Sequence, residues 1–296
     1  MIKNIEKIVG NFFKTNNFKI ENRLMGGMSN YTYLVNVNDE FYTVRFPGEY
    51  CEYFVDRKLE EEGISLFTKL NLTNETVFFD ISTHVKISKY IDGVSLNELK
   101  NNNQELPYFE VSKLLKKVHL SPLRCSVDYN PFDRLSKNEK DLINLGFTHP
   151  EKYLELRKYF NTFKEYLESL PKVLCHNDSQ PSNFVLTNDN LFVVDFEFIG
   201  NNDFVYDIAC FANMDIEDGE KLLDVYFDGI SFEEMKEMKK RFYLWRAFQC
   251  FQWFNVAMFK DLVGMSETLK LDFKMIALSY LKQIEENLNK VKKLEK

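Results

Sequence analysis

Hydrophobic and polar residues alternate along the first third of the chain, and this pattern predicts β-strands. Over residues 31–38 every second residue is apolar or aromatic, which is typical of a strand with one buried face. A turn leads into a second predicted strand over 41–46, and a helix over 55–70 follows. Two more strands are predicted at 77–79 and 85–90. The N-terminal part is therefore expected to form a small antiparallel sheet with one long helix.

From residue 92 onward the apolar residues fall three or four positions apart, which is the spacing of amphipathic helices. The longest helices predicted from this spacing cover 153–170, 232–260 and 273–294. Strands grouped before helices are typical of the α+β class. We therefore expect a bilobal α+β protein, with a small antiparallel-sheet lobe over residues 1–91 and a larger helical lobe over 92–296.

A short predicted hairpin gathers polar residues that suit catalysis. The strands are expected at 173–175, 184–186 and 191–194. If the chain runs out along the second strand and back along the third, Asn183 and Asp195 meet at the open end, with Asp178 just upstream. Amide and carboxylate oxygens suit Mg²⁺, and a separate Asp can accept the proton of a hydroxyl group. Asp and Asn also favour plain turns, but the conjunction with His176 and Asp207 favours catalysis.

Two upstream features suit the phosphates of a nucleotide. A pair of glycines ending at Gly27 allows backbone N–H groups to approach phosphate, and Ser29 and Asn30 add donors. The alternative is an ordinary turn before a strand. Arg45 lies in an otherwise apolar strand, so it needs phosphate oxygens or one of the glutamates at 60–62 as its partner. The alternative is an arginine on an exposed face of the sheet.

Composition restricts the partners and the compartment. The net charge of −7 disfavours nucleic acid as the main partner and suits a small cationic substrate. The five cysteines lack metal-ligand spacing and are interpreted as buried thiols of a reducing compartment. The N-terminal segment is a candidate amphipathic helix without a signal-peptide block, and no apolar stretch is long enough to span a bilayer. We expect a cytoplasmic protein that does not insert into a membrane.

The motifs together carry a resemblance to a known family. The chain reads HNDSQPSN at 176–183, VDFEF at 194–198 and YDIA at 206–209. These strings resemble the choline/ethanolamine kinase family, which has a protein-kinase-like fold and is related to the aminoglycoside phosphotransferases. Three more segments resemble its phosphate loop, its nucleotide-binding strand and its Leu-x-x-Leu-His helix, namely GGMSN at 26–30, VRFPG at 44–48 and LLKKVH at 114–119.

The resemblance implies the use of ATP and Mg²⁺ and assigns roles to individual residues. It implies that the lobe over residues 1–91 binds the nucleotide and that the lobe over 92–296 carries catalysis and substrate binding. The implied catalytic residues are Asp178 as the base with Asn183 and Asp195 as magnesium ligands, and Glu197 is a further implied ligand. The implied nucleotide-binding residues are Gly27, Ser29, Asn30, Arg45, Glu60, Tyr90 and Ile91, with Glu60 paired to Arg45. The implied substrate-binding residues are Asp178, Gln180, Glu197, Phe242, Trp245 and Gln249. His176 and Asp207 are expected to brace the catalytic loop by hydrogen bonds.

Aromatic residues on one predicted helix suit choline, whose fixed positive charge carries no N–H group and is best held by aromatic faces. Phe242 and Trp245 belong to that helix, although an aromatic stripe can equally fill a core. Met214 stands where the family's pocket glutamate is expected, with Asp215 as a substitute.

The function expected from the sequence is the ATP-dependent O-phosphorylation of choline. The same chemistry on ethanolamine, thiamine, another small amino alcohol or an aminoglycoside is the alternative, although the helix over 241–259 lacks the carboxylates that an aminoglycoside would need. A non-catalytic nucleotide-binding module is a further alternative, from a different class of protein.

Overall fold

The computed structural model of the protein describes residues 2–24 and 30–296. In chain order its helices are α1 (Ile2–Phe13), α2 (Arg57–Lys69), α3 (Leu96–Asn101), α4 (Tyr108–His119), α5 (Pro131–Asn144), α6 (Glu151–Asn161), α7 (Lys164–Glu168), α8 (Val205–Phe211), α9 (Ile216–Tyr226), α10 (Phe232–Leu262), α11 (Met265–Leu269) and α12 (Phe273–Leu294). Short 3₁₀ helices cover Cys51–Tyr53 and Pro181–Asn183.

The strands, in chain order, are β1 (Phe18–Leu24), β2 (Asn30–Val37), β3 (Glu40–Pro47), β4 (Thr76–Asp80), β5 (Val85–Lys89), β6 (Val94–Ser95), β7 (Val173–Cys175), β8 (Phe184–Leu186), β9 (Leu191–Val193) and β10 (Gly200–Asn202). An antiparallel sheet near the N-terminus and a mainly helical C-terminal part confirm the predicted α+β class. In the described part of the chain, no helix combines the length and the apolar character that crossing a membrane requires.

The chain divides into two units that differ from the two lobes expected at residue 91. Unit 1 comprises residues 1–125 and 181–199, and unit 2 comprises residues 126–180 and 200–296. The later segment of unit 1 belongs there because β8 pairs with β6 and because the Val193 N–H group donates to the Leu72 carbonyl oxygen at 2.9 Å. These pairings are long-range in sequence and give no signal in the hydrophobic pattern.

The five-stranded sheet of unit 1 runs in the order β1-β2-β3-β5-β4, and each neighbouring pair is antiparallel. Its core-facing side includes Val35, Val44 and Ile87, which are fully buried. Helix α1 contributes Ile5 and Val9 to the same apolar cluster. The alternation predicted over residues 31–38 therefore corresponds to a strand with one core face. Strand β1, by contrast, lies mostly upstream of the region in which strands were predicted.

Unit 2 is organised around α10, which is 31 residues long and contacts α5, α8 and α12. A capping box begins this helix, with Ser231 and Glu234 satisfying each other's backbone N–H groups.

The single helix predicted over 153–170 is wrong, because the structure has α6 and α7 with a break between them. At the break the Thr162 hydroxyl donates to the Tyr159 carbonyl oxygen at 2.7 Å, a local bond that competes with helix continuation.

A glycine lets α2 approach the end of the β8–β9 segment. A Cβ atom at Gly63 would lie 2.7 Å from Cβ of Phe196 and 3.1 Å from a methyl carbon of Ile199. We expect Gly63→Ala to lower the free energy of unfolding, because overpacking costs about 1–3 kcal/mol while helix propensity returns about 1 kcal/mol or less. Urea denaturation measures this difference.

Gly10→Ala is the matched control, since Gly10 is also helical but an added Cβ would meet its nearest neighbour at 3.5 Å, which is ordinary contact. This control is expected to raise the free energy of unfolding by about 0.5–1 kcal/mol. Equal effects of the two substitutions would contradict the close packing of α2 against Phe196.

Candidate active site

A fully buried carboxylate in unit 1 is shared by three cations. Glu60 forms ion pairs with Arg45 at 2.5 Å, with Arg57 at 2.7 Å and with Lys86 at 3.2 Å. The pairing of Arg45 with Glu60 that the sequence analysis expected is therefore present. Burial alone would raise the pKa of Glu60, but the cations, Lys86 first among them, outweigh burial and lower it to about 2.

Local sequence brings these charges together. Asp56 caps the start of α2 by accepting from the N–H groups that follow it, which fixes where the helix begins. Arg57 and Glu60 are three residues apart and share the buried face of α2. Arg45 on β3 is directly opposite Lys86 on β5 in the sheet register. Arg57 was not assigned a role in the site from the sequence, although it stands three residues before Glu60. Lys86 was not predicted either, because no local pattern marks it.

Glu197 is held by the same group of side chains. Its Oε1 atom accepts hydrogen bonds from Arg57 at 2.6 Å and from the Asn30 amide at 2.7 Å. The Asn30 amide oxygen in turn accepts from Arg57 at 3.2 Å. Arg45 lies 3.7 Å from Glu197. The carboxylate is thus already engaged by unit 1 itself, and its predicted roles toward metal and substrate stay predictions.

Asp195 combines an unusual backbone conformation with an unsatisfied carboxylate oxygen. Its φ angle of 71° lies in the left-handed region, which non-glycine residues adopt rarely and often at functional positions. Its buried Oδ1 atom has no hydrogen-bond partner among the described residues and lies 3.5 Å from Arg45. Burial and the neighbouring Glu197 raise the pKa of Asp195 to about 7, against the lowering effect of Arg45. Such an oxygen is a suitable ligand for a hard cation.

The predicted hairpin is confirmed, and it brings Asn183 and Asp195 to the same end. Phe184 pairs with Val193, and the Val194 N–H group donates to the Asn183 carbonyl oxygen at 2.9 Å. The Asn183 side chain is buried, and its oxygen accepts from the Ser182 hydroxyl at 3.5 Å. Unit 1 therefore offers an amide oxygen and a carboxylate oxygen from the two arms of one hairpin.

In unit 2 the buried Asp207 carboxylate fixes the loop after β7. It accepts hydrogen bonds from the backbone N–H groups of His176 at 2.9 Å and Asn177 at 2.7 Å. The Ser179 hydroxyl donates to the Asp207 carbonyl oxygen at 2.6 Å. His176 adds a further bond, because its Nδ1 atom accepts from the Asp178 N–H group at 3.2 Å. Both proposed bracing residues thus hydrogen-bond the loop, and the effect of this bracing on activity stays a prediction.

The Asp178 carboxylate is buried and receives a hydrogen bond from a neighbouring amide. Gln180 donates to Asp178 Oδ2 at 3.3 Å, and Asn213 donates to the Gln180 amide oxygen at 2.8 Å. The structure therefore brings Asp178 and Gln180 together, as their spacing suggested. Asn213 was missed, because a partner 33 residues away leaves no local pattern.

Three residues predicted to bind substrate lie in the interior of unit 2. Phe242 is fully buried, Trp245 is 1 % exposed, and the Trp245 indole N–H group donates to Asp203 at 2.6 Å. The Gln249 amide donates to the Tyr206 carbonyl oxygen at 3.1 Å. This burial agrees with the packing interpretation of the aromatic stripe, and a substrate-binding role for these residues stays a prediction. Asp203, which sequence analysis missed, also pairs with Arg241.

Four further residues were predicted to bind the nucleotide, namely Gly27, Ser29, Tyr90 and Ile91. Gly27 and Ser29 lie outside the described residues. Tyr90 and Ile91 are half-buried directly after β5, and the Tyr90 N–H group donates to the Phe41 carbonyl oxygen at 2.9 Å. Their predicted position beside an adenine ring stays a prediction.

The fold matches those of solved kinase-like phosphotransferases. The choline kinase LicA from Streptococcus pneumoniae superposes with a TM-score of 0.72 at 20% identity, covering 95% of this chain and 99% of that chain. The aminoglycoside phosphotransferase APH(2")-IIa, solved with gentamicin, superposes with a TM-score of 0.65 at 18% identity and 95% coverage of both chains. These likenesses show a kinase-like fold, and the family match over residues 22–218 shows a phosphotransferase whose acceptor is an alcohol.

Sequence comparison identifies the family. The family model described as choline/ethanolamine kinase matches residues 22–218. Protein LicA of Haemophilus influenzae is 26% identical over 239 residues, which is 78% of this chain and 70% of that protein. The chain belongs to the choline/ethanolamine kinase family, as its motifs suggested.

Asn177 offers a test of how the loop is built. Its φ angle is 62°, and its side chain accepts from the Asn202 amide at 2.8 Å and donates to the Gly200 carbonyl oxygen at 3.2 Å. We expect Asn177→Gly to lose about 1–3 kcal/mol through these hydrogen bonds alone. Asn177→Ala should lose about 1–2 kcal/mol more, because alanine is strained in the left-handed region.

Thermal or urea unfolding of the three proteins measures the ranking, which is expected to be wild type, then glycine, then alanine. An alanine variant more stable than the glycine variant would show that the backbone conformation at Asn177 does not limit stability.

Proposed function

We propose that the protein transfers the γ-phosphoryl group of ATP to the hydroxyl group of choline, giving phosphocholine and ADP. The observation that carries this proposal is the Asp178 loop, in which a buried carboxylate is held by Gln180 and by the backbone bonds to Asp207. A carboxylate fixed in this way is suited to orient a hydroxyl group and to accept its proton. Membership of the choline/ethanolamine kinase family supports the same chemistry.

The reaction balances as a displacement at phosphorus. The choline oxygen forms a bond to the γ-phosphorus while the bond to the β–γ bridging oxygen breaks, and ADP leaves. The hydroxyl proton passes to Asp178 and then to solvent.

The charged groups Arg45 and Lys86, which both pair with Glu60, are candidates for the cations that bind the nucleotide phosphates.

The residues of the β8–β9 hairpin suit Mg²⁺. Asn183 supplies an amide oxygen, and Asp195 supplies a carboxylate whose buried Oδ1 atom lacks a hydrogen-bond partner among the described residues. A bound Mg²⁺ would neutralise charge that develops on the phosphate oxygens. Glu197 is the weaker candidate ligand, since Arg57 and Asn30 already bind its Oε1 atom.

An open cavity of about 500 Å³ in unit 2 is a candidate for the phosphoryl-acceptor site. Its walls come from the start of α9 and from α12, and they include Met214, Asp215 and Glu286. Asn213, whose neighbours line the cavity, is bonded through Gln180 to Asp178. Two carboxylates, Asp215 and Glu286, and two lysines, Lys290 and Lys293, line the cavity. The charges of the lining balance, and it is the net charge of −7 of the whole chain that favours a cationic alcohol.

Ethanolamine is the second candidate substrate, and the cavity lining favours it. Among the ten lining residues none is aromatic, and the charged ones are the carboxylates Asp215 and Glu286 and the lysines Lys290 and Lys293. A primary ammonium group can donate hydrogen bonds to carboxylates, while the quaternary group of choline cannot and depends on aromatic faces.

The experiment that tests the function is ADP release from Mg-ATP with choline, ethanolamine, thiamine and kanamycin. Preference for choline supports the proposal, and preference for ethanolamine supports the second candidate. Turnover of thiamine or kanamycin would overturn the choice of substrate but keep the chemistry. ATP binding without turnover of any alcohol would favour a non-catalytic nucleotide-binding module.

Asp178→Ala is expected to lower kcat at least about 10²-fold, the usual contribution of a positioned base, while the affinity for ATP stays unchanged. Steady-state kinetics and ATP titration measure the two quantities. The control is Asp189→Ala, which removes an exposed aspartate from the turn between β8 and β9 and should leave kcat unchanged. Retention of kcat in Asp178→Ala would exclude Asp178 as the base.

A further inference from the structure

Arg246 is a buried cation in unit 2 whose hydrogen bonds all go to neutral oxygens in the described part of the chain. It lies on α10 and is 1 % exposed. It donates to the side-chain oxygens of Gln283 at 3.0 Å and Gln249 at 3.3 Å, and to both oxygens of Asn213 at 3.3 and 3.4 Å. Burying a charge without a paired carboxylate is unfavourable for folding. The stability of the fold alone therefore does not explain an arginine at this position.

The bonds of Arg246 impose a direction on the amides that lead to Asp178. Arginine has only donors, so the oxygen of the Asn213 amide must face it. The nitrogen of that amide then faces Gln180 and donates to its oxygen at 2.8 Å. The Gln180 nitrogen is left to face Asp178, to which it donates at 3.3 Å. The donors of Arg246 at one end and the acceptor oxygens of Asp178 at the other therefore favour the same orientation of the two amides.

Tyr280 supports the same orientation from α12. Its hydroxyl donates to the Asn213 side-chain oxygen at 3.4 Å. Burial raises the pKa of Tyr280 to about 12, while Arg246 lowers it and Asp178 raises it. The hydroxyl therefore stays protonated at neutral pH and remains a donor.

We propose that Arg246 is a positioning residue for Asp178, acting through Asn213 and Gln180. This inference rests on the proposed phosphotransfer at Asp178. If the Gln180 amide were reversed, its oxygen would face the Asp178 carboxylate, and the repulsion would displace the carboxylate from the acceptor hydroxyl. Arg246 prevents this reversal without touching the substrate.

The first test is kinetic and uses Arg246→Met, Asn213→Leu and the double variant. Arg246→Met is expected to lower kcat about tenfold, the effect of one charge-assisted hydrogen bond, with the KM for ATP unchanged. Because the two residues act through one chain, the double variant should lose little more than the worse single variant. Arg246→Lys keeps a donor and should recover part of the lost kcat.

The matched control is Asn255→Leu. Asn255 is a buried polar residue on the same helix, and its amide donates to the Tyr153 hydroxyl at 2.7 Å in a separate network. Asn255→Leu should lower the Tm and leave kcat unchanged, which separates positioning from general destabilisation. Wild-type kcat in Arg246→Met, or losses that simply multiply in the double variant, would overturn the inference.

The second test does not depend on activity. The side-chain N–H₂ resonances of Gln180, assigned by their absence in Gln180→Leu, report the hydrogen bond to Asp178 in amide NMR spectra. Arg246→Met should shift them, and Asn255→Leu should not. Unshifted resonances in Arg246→Met would overturn the inference, whereas failure of the wild type to phosphorylate any alcohol would overturn only the proposed function.

Discussion

A buried carboxylate must be matched by cations or N–H donors, and this requirement fixes the functional segments of both units. In unit 1 the carboxylate is Glu60, which three cations share. In unit 2 it is Asp207, which accepts two backbone N–H groups of the loop that carries Asp178. Both are fully buried. Neither carboxylate has an assigned part in the phosphoryl transfer. Each one lowers the free energy of one conformation of its neighbours relative to the alternatives.

Features encoded over short sequence distances were predictable. The hairpin followed from apolar triplets around a turn, and its pairing brings Asn183 and Asp195 to one end. Glu60 was expected as the partner of Arg45, and the structure pairs the two. Glu60 lies on the buried face of α2, three residues after Arg57, while Glu61 is exposed. The unit boundary was not predictable, since it depends on β6 pairing with β8 across about ninety intervening residues.

The hydrophobic pattern could not distinguish pocket residues from core residues where a helix is buried on nearly every side. Almost all residues of α10 from Arg241 to Lys260 are buried, so no polar face indicates which aromatic residues could line a pocket. The indole of Trp245 is satisfied by Asp203, a partner 42 residues away that no local pattern reveals. Burial of this kind explains why an aromatic stripe was compatible with a cation cage and with a packed core.

The two ways of holding the Asp178 loop differ in what they demand of the sequence. Asp207 binds backbone N–H groups, so these two hydrogen bonds do not themselves depend on which side chains the bonded residues carry. The amide chain from Arg246 to Gln180 consists of side chains, and each link depends on which atoms donate. The path of the loop and the environment of its carboxylate therefore depend on different hydrogen bonds, and we expect substitutions at Asn213 or Arg246 to change the environment of Asp178 while the loop stays in place.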